Sequence, residues 1–414
     1  MATTSIAIIG AGPGGLTLAR LLYAKSIPIT IYERDTTPFS RTSQGGTLDL
    51  HVETGQRALK EAGLFEEFKK IMRQEGEAFR LADKEGNLLI DEDEGGFGGP
   101  PPEGEEGTPP GRPEVDRIQL RKLLLDSLPD GLIRWGTGVE SVEPSSSPSD
   151  KRWTLVTSDG NRESYDIVIG ADGAWSRVRK VLSLTKPHYS GISGFELRFS
   201  QVDVNQPDVS NLVGKGSYFA IGDQKALMAQ RNGDGSIRVY AMARVPEDWS
   251  IAVDEGKGEE TKQEVIQAFY SDWSEDLKNF VRLADDQPIY ARKLYMLPVG
   301  YRWEQKDGVT LVGDAAHLMT PFAGAGVNLA MADALDLSNA ISTSFTPAEG
   351  GAAWNLDQVN REIRGYEEAM WKRGEEISRE TFENLEIVFR PDGVTAFRDR
   401  MLSYTSQAGE GQQA

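Results

Sequence analysis

Residues 5–33 read SIAIIGAGPGGLTLARLLYAKSIPITIYE, and this stretch decides the fold. Ile6 to Ile9 is a short apolar strand, Gly10 to Gly15 a tight glycine turn, Leu16 to Lys25 a helix, and Ile29 to Tyr32 a second strand that ends at Glu33. Strand, turn, helix and strand in that order make the parallel crossover of a doubly wound α/β sheet. The turn Gly10-Ala11-Gly12-Pro13-Gly14-Gly15 is a G-x-G-x-x-G. Its first glycine permits the tight turn, its second lets a pyrophosphate approach the backbone, and its third lets helix and strand pack closely. The helix start then aims amide donors at the phosphates. Glu33 closes the second strand, where an acid accepts hydrogen bonds from an adenosine ribose. An acid at this place, rather than an arginine, favours the unphosphorylated ribose of FAD or NAD over NADP.

Working outward, the pattern changes several times. A second helix is expected at about Glu53 to Gln74. Asp91 to Glu114 is acidic and rich in Gly and Pro, and reads as a surface insertion that buries too little apolar surface to order itself. Ile118 to Leu128 has helical spacing, and Ile133 to Val142, Trp153 to Ser158 and Tyr165 to Ile169 read as strands. From Tyr189 to Val245 short alternating runs and turns such as Asn232-Gly233 predict an antiparallel sheet. Thr261 to Arg282 reads as a helix, Val309 to Val312 as a strand, and Leu356 to about Arg390 as one long amphipathic helix.

Composition excludes other chemistries. The 414 residues contain no cysteine, so disulfides, thiolate nucleophiles and Cys-based metal sites are out, and the three histidines lie far apart. A net charge of −19 argues against nucleic acid or anionic membrane as a partner. No apolar run reaches about eighteen residues, and no signal-like segment precedes Ile6. A soluble, cytoplasmic, monomeric protein of two domains is the expectation.

Two further motifs stand downstream: residues 166–179, DIVIGADGAWSRVR, and residues 309–321, VTLVGDAAHLMTP. With the glycine turn they resemble, in kind and order, the motifs of the group A FAD-dependent monooxygenases, the para-hydroxybenzoate hydroxylase-like family. Tyr32-Glu33-Arg34-Asp35, Gly45 through His51, and Gly313 through Asn328 resemble in particular the tetracycline-inactivating branch. The resemblance implies a Rossmann-like FAD-binding domain (1–72, 114–180 and 286–350), an antiparallel-sheet substrate domain (73–113 and 181–285), a C-terminal bridging helix (351–395) and a tail (396–414). It implies that Asp314 hydrogen-bonds a ribityl hydroxyl of FAD and that Asp172 sits in a turn near the cofactor. Arg117 matches the family's flavin-contacting arginine, and Arg121, one turn on, could share its task. Arg34, Arg41, Asp49 and Pro321 complete the implied cofactor set. Gly324-Ala325-Gly326-Val327-Asn328 reads as a glycine loop opening a helix to about Asn339. Amides and a helix dipole there would stabilise negative charge on the reduced flavin ring. His317 and His51 read as structural residues rather than bases.

The family activity implied is hydroxylation of an aromatic or polycyclic phenol or enol, through a C4a-hydroperoxyflavin formed from O2 after reduction by NADPH or NADH. No side-chain nucleophile is needed, so no catalytic residue is singled out, and no second dinucleotide fingerprint is present, so the nicotinamide would bind transiently. Candidate substrate-lining residues are Phe195, Arg198, Tyr218, Phe219, Met228, Tyr240, Met242, Phe322 and Phe382. The middle of the chain departs from the tetracycline-inactivating branch, with Glu196 and Arg198 in place of amide side chains, so another polyketide-like phenol is an equal candidate. An FAD-dependent oxidase or reductase and a non-catalytic ligand-binding relative stay open as alternatives.

Overall fold

Ile6–Ile9 is buried along its whole length because parallel strands flank it on both sides. The sheet order is Val309–Leu311, Ile167–Gly170, Ile6–Ile9, Ile29–Tyr32, Ile133–Arg134, with every pairing parallel. Such strands are covered on both faces and therefore read as continuous apolar runs. The computed structural model describes residues 5–38, 40, 45–92, 111–146, 152–254, 256–286, 288–346 and 353–410. The helix Pro13–Ala24, with proline in its first turn, packs against the 18-residue helix Gly326–Thr343. A three-stranded antiparallel sheet (Val139–Pro144, Trp153–Thr157, Arg162–Tyr165) adjoins this domain.

The second sheet has seven strands, in the order Tyr290–Met296, His188–Phe199, Ile237–Arg244, Lys225–Arg231, Ser217–Gly222, Phe79–Ala82, Leu88–Glu92. All pairings are antiparallel except Ser217–Gly222 with Phe79–Ala82. One face packs on helices Gly258–Phe269 and Glu275–Arg282 through Phe195, Leu197, Tyr218, Val239, Phe269 and Phe280. The opposite face carries Ile192, Ile221, Met228 and Met242, and the end of helix Leu356–Val388 lies on it with Leu385, Val388 and Phe389.

Several boundaries differ from expectation. The helix expected over Glu53–Gln74 is broken into a π-turn, Val52–Gln56, and short helices Arg57–Glu61 and Phe65–Phe68, with Gly63 at φ +70° between them. Thr261–Arg282 is two helices, because the Ser274 side chain caps a new start by accepting from the Leu277 amide. Ile133–Val142 is two strands parted by Gly136 at φ +67°. Tyr290–Met296 belongs to the seven-stranded sheet, so the seam between the layers falls after Met296 rather than at 286. The tail is a helix, Gly393–Glu410, whose Phe397 is buried against the sheet. Most of the Gly/Pro insertion, 93–110, lies outside the described residues, as does Arg41. Among the described residues no helix is long and apolar enough to cross a membrane.

Candidate functional site

The glycine loop has the steric logic its spacing predicts. Gly10 sits at φ +110°, and a Cβ there would collide with the Ala171 carbonyl. A Cβ on Gly15 would collide with the Gly10 carbonyl, and one on Gly14 would press within 3.2 Å of Ala330 on the Gly326–Thr343 helix. Gly12 alone has nothing within 4 Å of that position, which leaves the open approach a pyrophosphate needs. Glu33 is buried and braces the loop: its carboxylate accepts from the Ala11 amide (2.7 Å) and the Asp35 amide (2.9 Å). Arg121 ties the same loop down, donating to the carbonyls of Ala11 (3.4 Å) and Pro38 (2.7 Å) and to Asp35 (3.3 Å). Arg34 and Arg117 are exposed, and Arg117 lies over Gly45 rather than at the glycine loop.

Asp172 turns inward. Its carboxylate accepts from the Ser176 hydroxyl (2.5 Å) and the amides of Arg177 (2.6 Å) and Val178 (3.3 Å). Burial raises its pKa and these donors oppose the rise. The side chain holds the turn in which the resemblance places it. The sequence reading passed over Arg179, which is buried and donates to the carbonyls of Ala174 (2.5 Å), Ala315 (2.9 Å) and Asp314 (3.3 Å). It welds the second motif to the third. Its only signal was its place inside the quoted motif.

In the third motif Gly313 is at φ +60°, and Asp314 is exposed, its carboxylate hydrogen-bonded to no other described residue. Gly324, exposed at φ +65°, donates its amide to the Pro321 carbonyl (3.0 Å). Ala325 and Val327 are buried beneath the loop. Asn328 is a clamp: its amide donates to the Asp49 carbonyl (2.9 Å), and its oxygen accepts from the His51 amide (2.9 Å) and the Thr54 hydroxyl (3.1 Å). A Cβ on Gly324 would stand 3.4 Å from the Asp49 carboxylate, which pairs with the His51 ring at 2.9 Å. Cross-strand from Asp49, Glu114 accepts from the Thr47 hydroxyl (2.5 Å), and burial, with Asp49 adding to it, pushes its carboxyl up to about 8. His317 is buried and hydrogen-bonded to Asp333 at 2.6 Å, set into the packing as expected rather than open to a substrate.

The sheet face that carries Met228 is laid out in rows by the strand register. One row runs Tyr290, Glu196, Tyr240, Met228, Phe219, Leu81, Ile90; the next carries Arg198, Arg238 and Gln230. Phe219, Tyr240 and Phe322 pack at this face, and Phe322 meets Phe389 edge-on at 5.4 Å. At the polar end Glu196 is 3% exposed, bound by Arg292 (2.6 and 2.9 Å) and facing Arg238 at 3.5 Å. The Arg292 guanidinium also lies over the Tyr290 ring at 5.0 Å. Arg198 reaches Asp234 at 3.4 Å. Two expected lining residues point elsewhere: Phe195 and Tyr218 face the opposite side, Phe195 against Trp249 and Phe269, because their strand parity places them there. Phe382 is also corrected: at 39% exposed it sits outside the buried stripe of its helix. Arg238 and Arg292 were missed, although Arg238 shares its parity with Tyr240 and Met242 in the run IRVYAMAR.

Residues 3–372 match the family model described as an FAD binding domain. The chain is 34% identical to monooxygenase asqM of Emericella nidulans over 96% of its length and 98% of that protein's. It is 32% identical to monooxygenase penA of Penicillium thymicola, over 94% and 96%. The chain belongs to the group A FAD-dependent monooxygenases. In fold this monooxygenase is similar to tetracycline destructase Tet(51), with a TM-score of 0.67 and 20% identity over 98% of this chain and 97% of that one.

The residues present fit FAD. Gly12 leaves space where a phosphate must come close, Asp314 offers a carboxylate with no hydrogen-bond donor from the described residues, and the helix starting at Gly326 turns its first amides toward the Gly324 loop. The Met228 face of the seven-stranded sheet meets the loop before Asp49: a Cβ on Gly46 would lie 3.0 Å from the Gln230 side chain and 3.2 Å from the Tyr240 hydroxyl.

Proposed function

We propose that this monooxygenase takes electrons from NADPH or NADH and places one atom of O2 on an electron-rich carbon of an aromatic or polycyclic phenol or enol. The observation that carries the reading is the row Tyr290, Glu196, Tyr240, Met228, Phe219, which runs from the charged position Glu196 to apolar Met228 and Phe219 on the sheet face that would stand opposite the cofactor. A flat ring system with polar groups at one edge suits such a surface: apolar side chains take the rings and a few placed polar groups fix orientation. Tetracyclines are one candidate class, polyketide-like phenols another.

FAD, when bound, supplies the electron transfer and the activation of oxygen. The chain does the rest. Gly10, Gly12, Pro13, Gly14 and Gly15 receive the pyrophosphate, Glu33 the ribose and Asp314 the ribityl chain. The helix start at Gly326 and the loop Pro321–Ala325 set positive amide dipoles where negative charge collects. Tyr240, whose hydroxyl burial holds protonated well past neutral pH, is a hydrogen-bond donor to a substrate oxygen. Met228, Phe219 and Phe322 exclude water from the reacting carbon.

The test is NADPH and NADH oxidation by the FAD-loaded protein over a panel of tetracyclines, polyketide phenols and simple phenols, with mass spectrometry under labelled dioxygen. A substrate whose product gains one labelled oxygen is expected. Hydrogen peroxide as the sole fate of the electrons across the panel would overturn the reading.

A further inference from the structure

The segment Thr310–Phe322 carries Asp314 and leads into the Gly324 loop, and much of what holds it comes from the C-terminal helix Leu356–Val388. Glu367 accepts from the Thr310 hydroxyl (2.8 Å) and the Trp303 indole (3.1 Å). The Tyr366 hydroxyl donates to the Leu311 carbonyl (2.8 Å), Thr381 to the Thr320 carbonyl (2.7 Å) and Asn384 to the Phe322 carbonyl (3.0 Å). Between these contacts Arg373 reaches the segment through Asp333. Asp333 is wholly buried; one oxygen accepts from the Gly313 amide (3.0 Å) and the His317 ring (2.6 Å), the other from Arg373 (2.9 Å). A second branch of Arg373 holds Asp336 at 2.8 Å.

We propose that Arg373 is a positioning residue for FAD, acting through Asp333 on the Gly313 peptide and so on the direction of Asp314. Gly313 is in the left-handed region, at φ +60°, so its conformation is set by what grips it. The grip is a carboxylate buried with complete loss of water, which needs its donors to stay charged and in place. Arg373 lies on a different element from Asp314 and shares no hydrogen bond with it, which makes its influence indirect. The proposal rests on the reading that Asp314 holds the ribityl chain.

The experiment is FAD titration of the deflavinated full-length protein by flavin fluorescence, beside thermal unfolding of each apo form. R373M should bind FAD about tenfold more weakly. D336N, which loosens only the outer branch, should weaken FAD about threefold with an unchanged apo Tm. F269L, in the core behind the seven-stranded sheet, should lower the apo Tm and leave FAD affinity alone. D314N should weaken FAD, and the D314N/R373M double variant should lose less than the sum of the two single losses, because both act on one contact. Wild-type FAD affinity in R373M and D336N, or strictly additive losses, overturns the positioning role. Unchanged affinity in D314N overturns the Asp314 reading, and the proposal with it.

Discussion

The two walls of the proposed site are made of different material. The cofactor wall is backbone: Gly10, Gly12, Gly15, Gly313 and Gly324 shape it by having no side chain. The facing wall is side chain: Tyr290, Glu196, Tyr240, Met228 and Phe219 stand on a regular sheet that would fold with other residues in their places. The backbone wall cannot be retuned at Gly10 or Gly15, where a Cβ would meet the Ala171 or the Gly10 carbonyl. A side-chain wall can change one residue at a time while its ladder stays intact. Cofactor and substrate are therefore fixed by different physics, and the two walls should respond differently to mutation.

The strongest way to break that contrast is on the cofactor wall. Gly15→Ala puts a methyl into the Gly10 carbonyl, with no flexible atom to yield. It should cost at least about 4 kcal/mol in urea unfolding and abolish FAD binding. A G15A protein that folds and turns yellow would show that the loop has slack the geometry denies.

On the facing wall the largest effect belongs to Glu196→Ala. It removes the buried carboxylate that Arg292 binds and that Arg238, 2% exposed, faces at 3.5 Å. A loss of about 3 kcal/mol is expected, at the low end for a broken buried pair because the Arg292 side chain is 40% exposed. FAD affinity should not change. If FAD affinity falls with stability, the two walls are not independent.

That asymmetry also governs what the sequence reveals. The glycines are legible because a phosphate contact demands a fixed pattern of missing side chains in consecutive residues. Asp314 is legible for a similar reason, within one short strand-and-loop motif. The facing wall is assembled from strands far apart in the chain, and alternation identifies two faces without saying which one meets the cofactor. Phe195 and Tyr218 were placed on the wrong face for this reason: both faces of the sheet are covered, so both carry apolar residues. Arg292 sits on an edge strand that the domain reading assigned to the other layer. The segment set apart only as a tail, 396–414, opens within a helix whose Phe397 and Met401, one helical turn apart, pack at the sheet. Asp172 shows the converse limit, since a motif marks its position but not which way its carboxylate turns.

The junction between the walls supplies a pH test. Glu114 lies cross-strand from Asp49, and its carboxyl stands at about 8 rather than in the ordinary carboxylate range, through burial first and Asp49 second. The folded protein thus keeps a proton that the unfolded chain has already released above about pH 4.3. Stability from this group is whole below that pH and is lost as pH rises through about 8. Glu114→Gln should flatten the stability–pH curve across this window, removing the part of its fall that this carboxyl supplies. An unchanged slope in E114Q would assign the titration to another group.

The smallest expected effect is the one that sharpens the comparison most. The Tyr240 hydroxyl stands 3.2 Å from where a Cβ on Gly46 would be, where the facing wall meets the loop from the cofactor domain. It is hydrogen-bonded to no other described residue. Tyr240→Phe keeps the ring, the register and the packing, so unfolding should shift by no more than about 0.5 kcal/mol. If the hydroxyl donates to a substrate oxygen in both ground and transition states, its loss removes one neutral hydrogen bond, about 1 kcal/mol. That raises KM about fivefold with kcat unchanged, because uniform binding is what has been lost. An equal fall in kcat would instead place the hydroxyl's contact in the transition state alone. No change in either constant would make Tyr240 part of the wall's shape only, and would move the search for the orienting donor to Arg292.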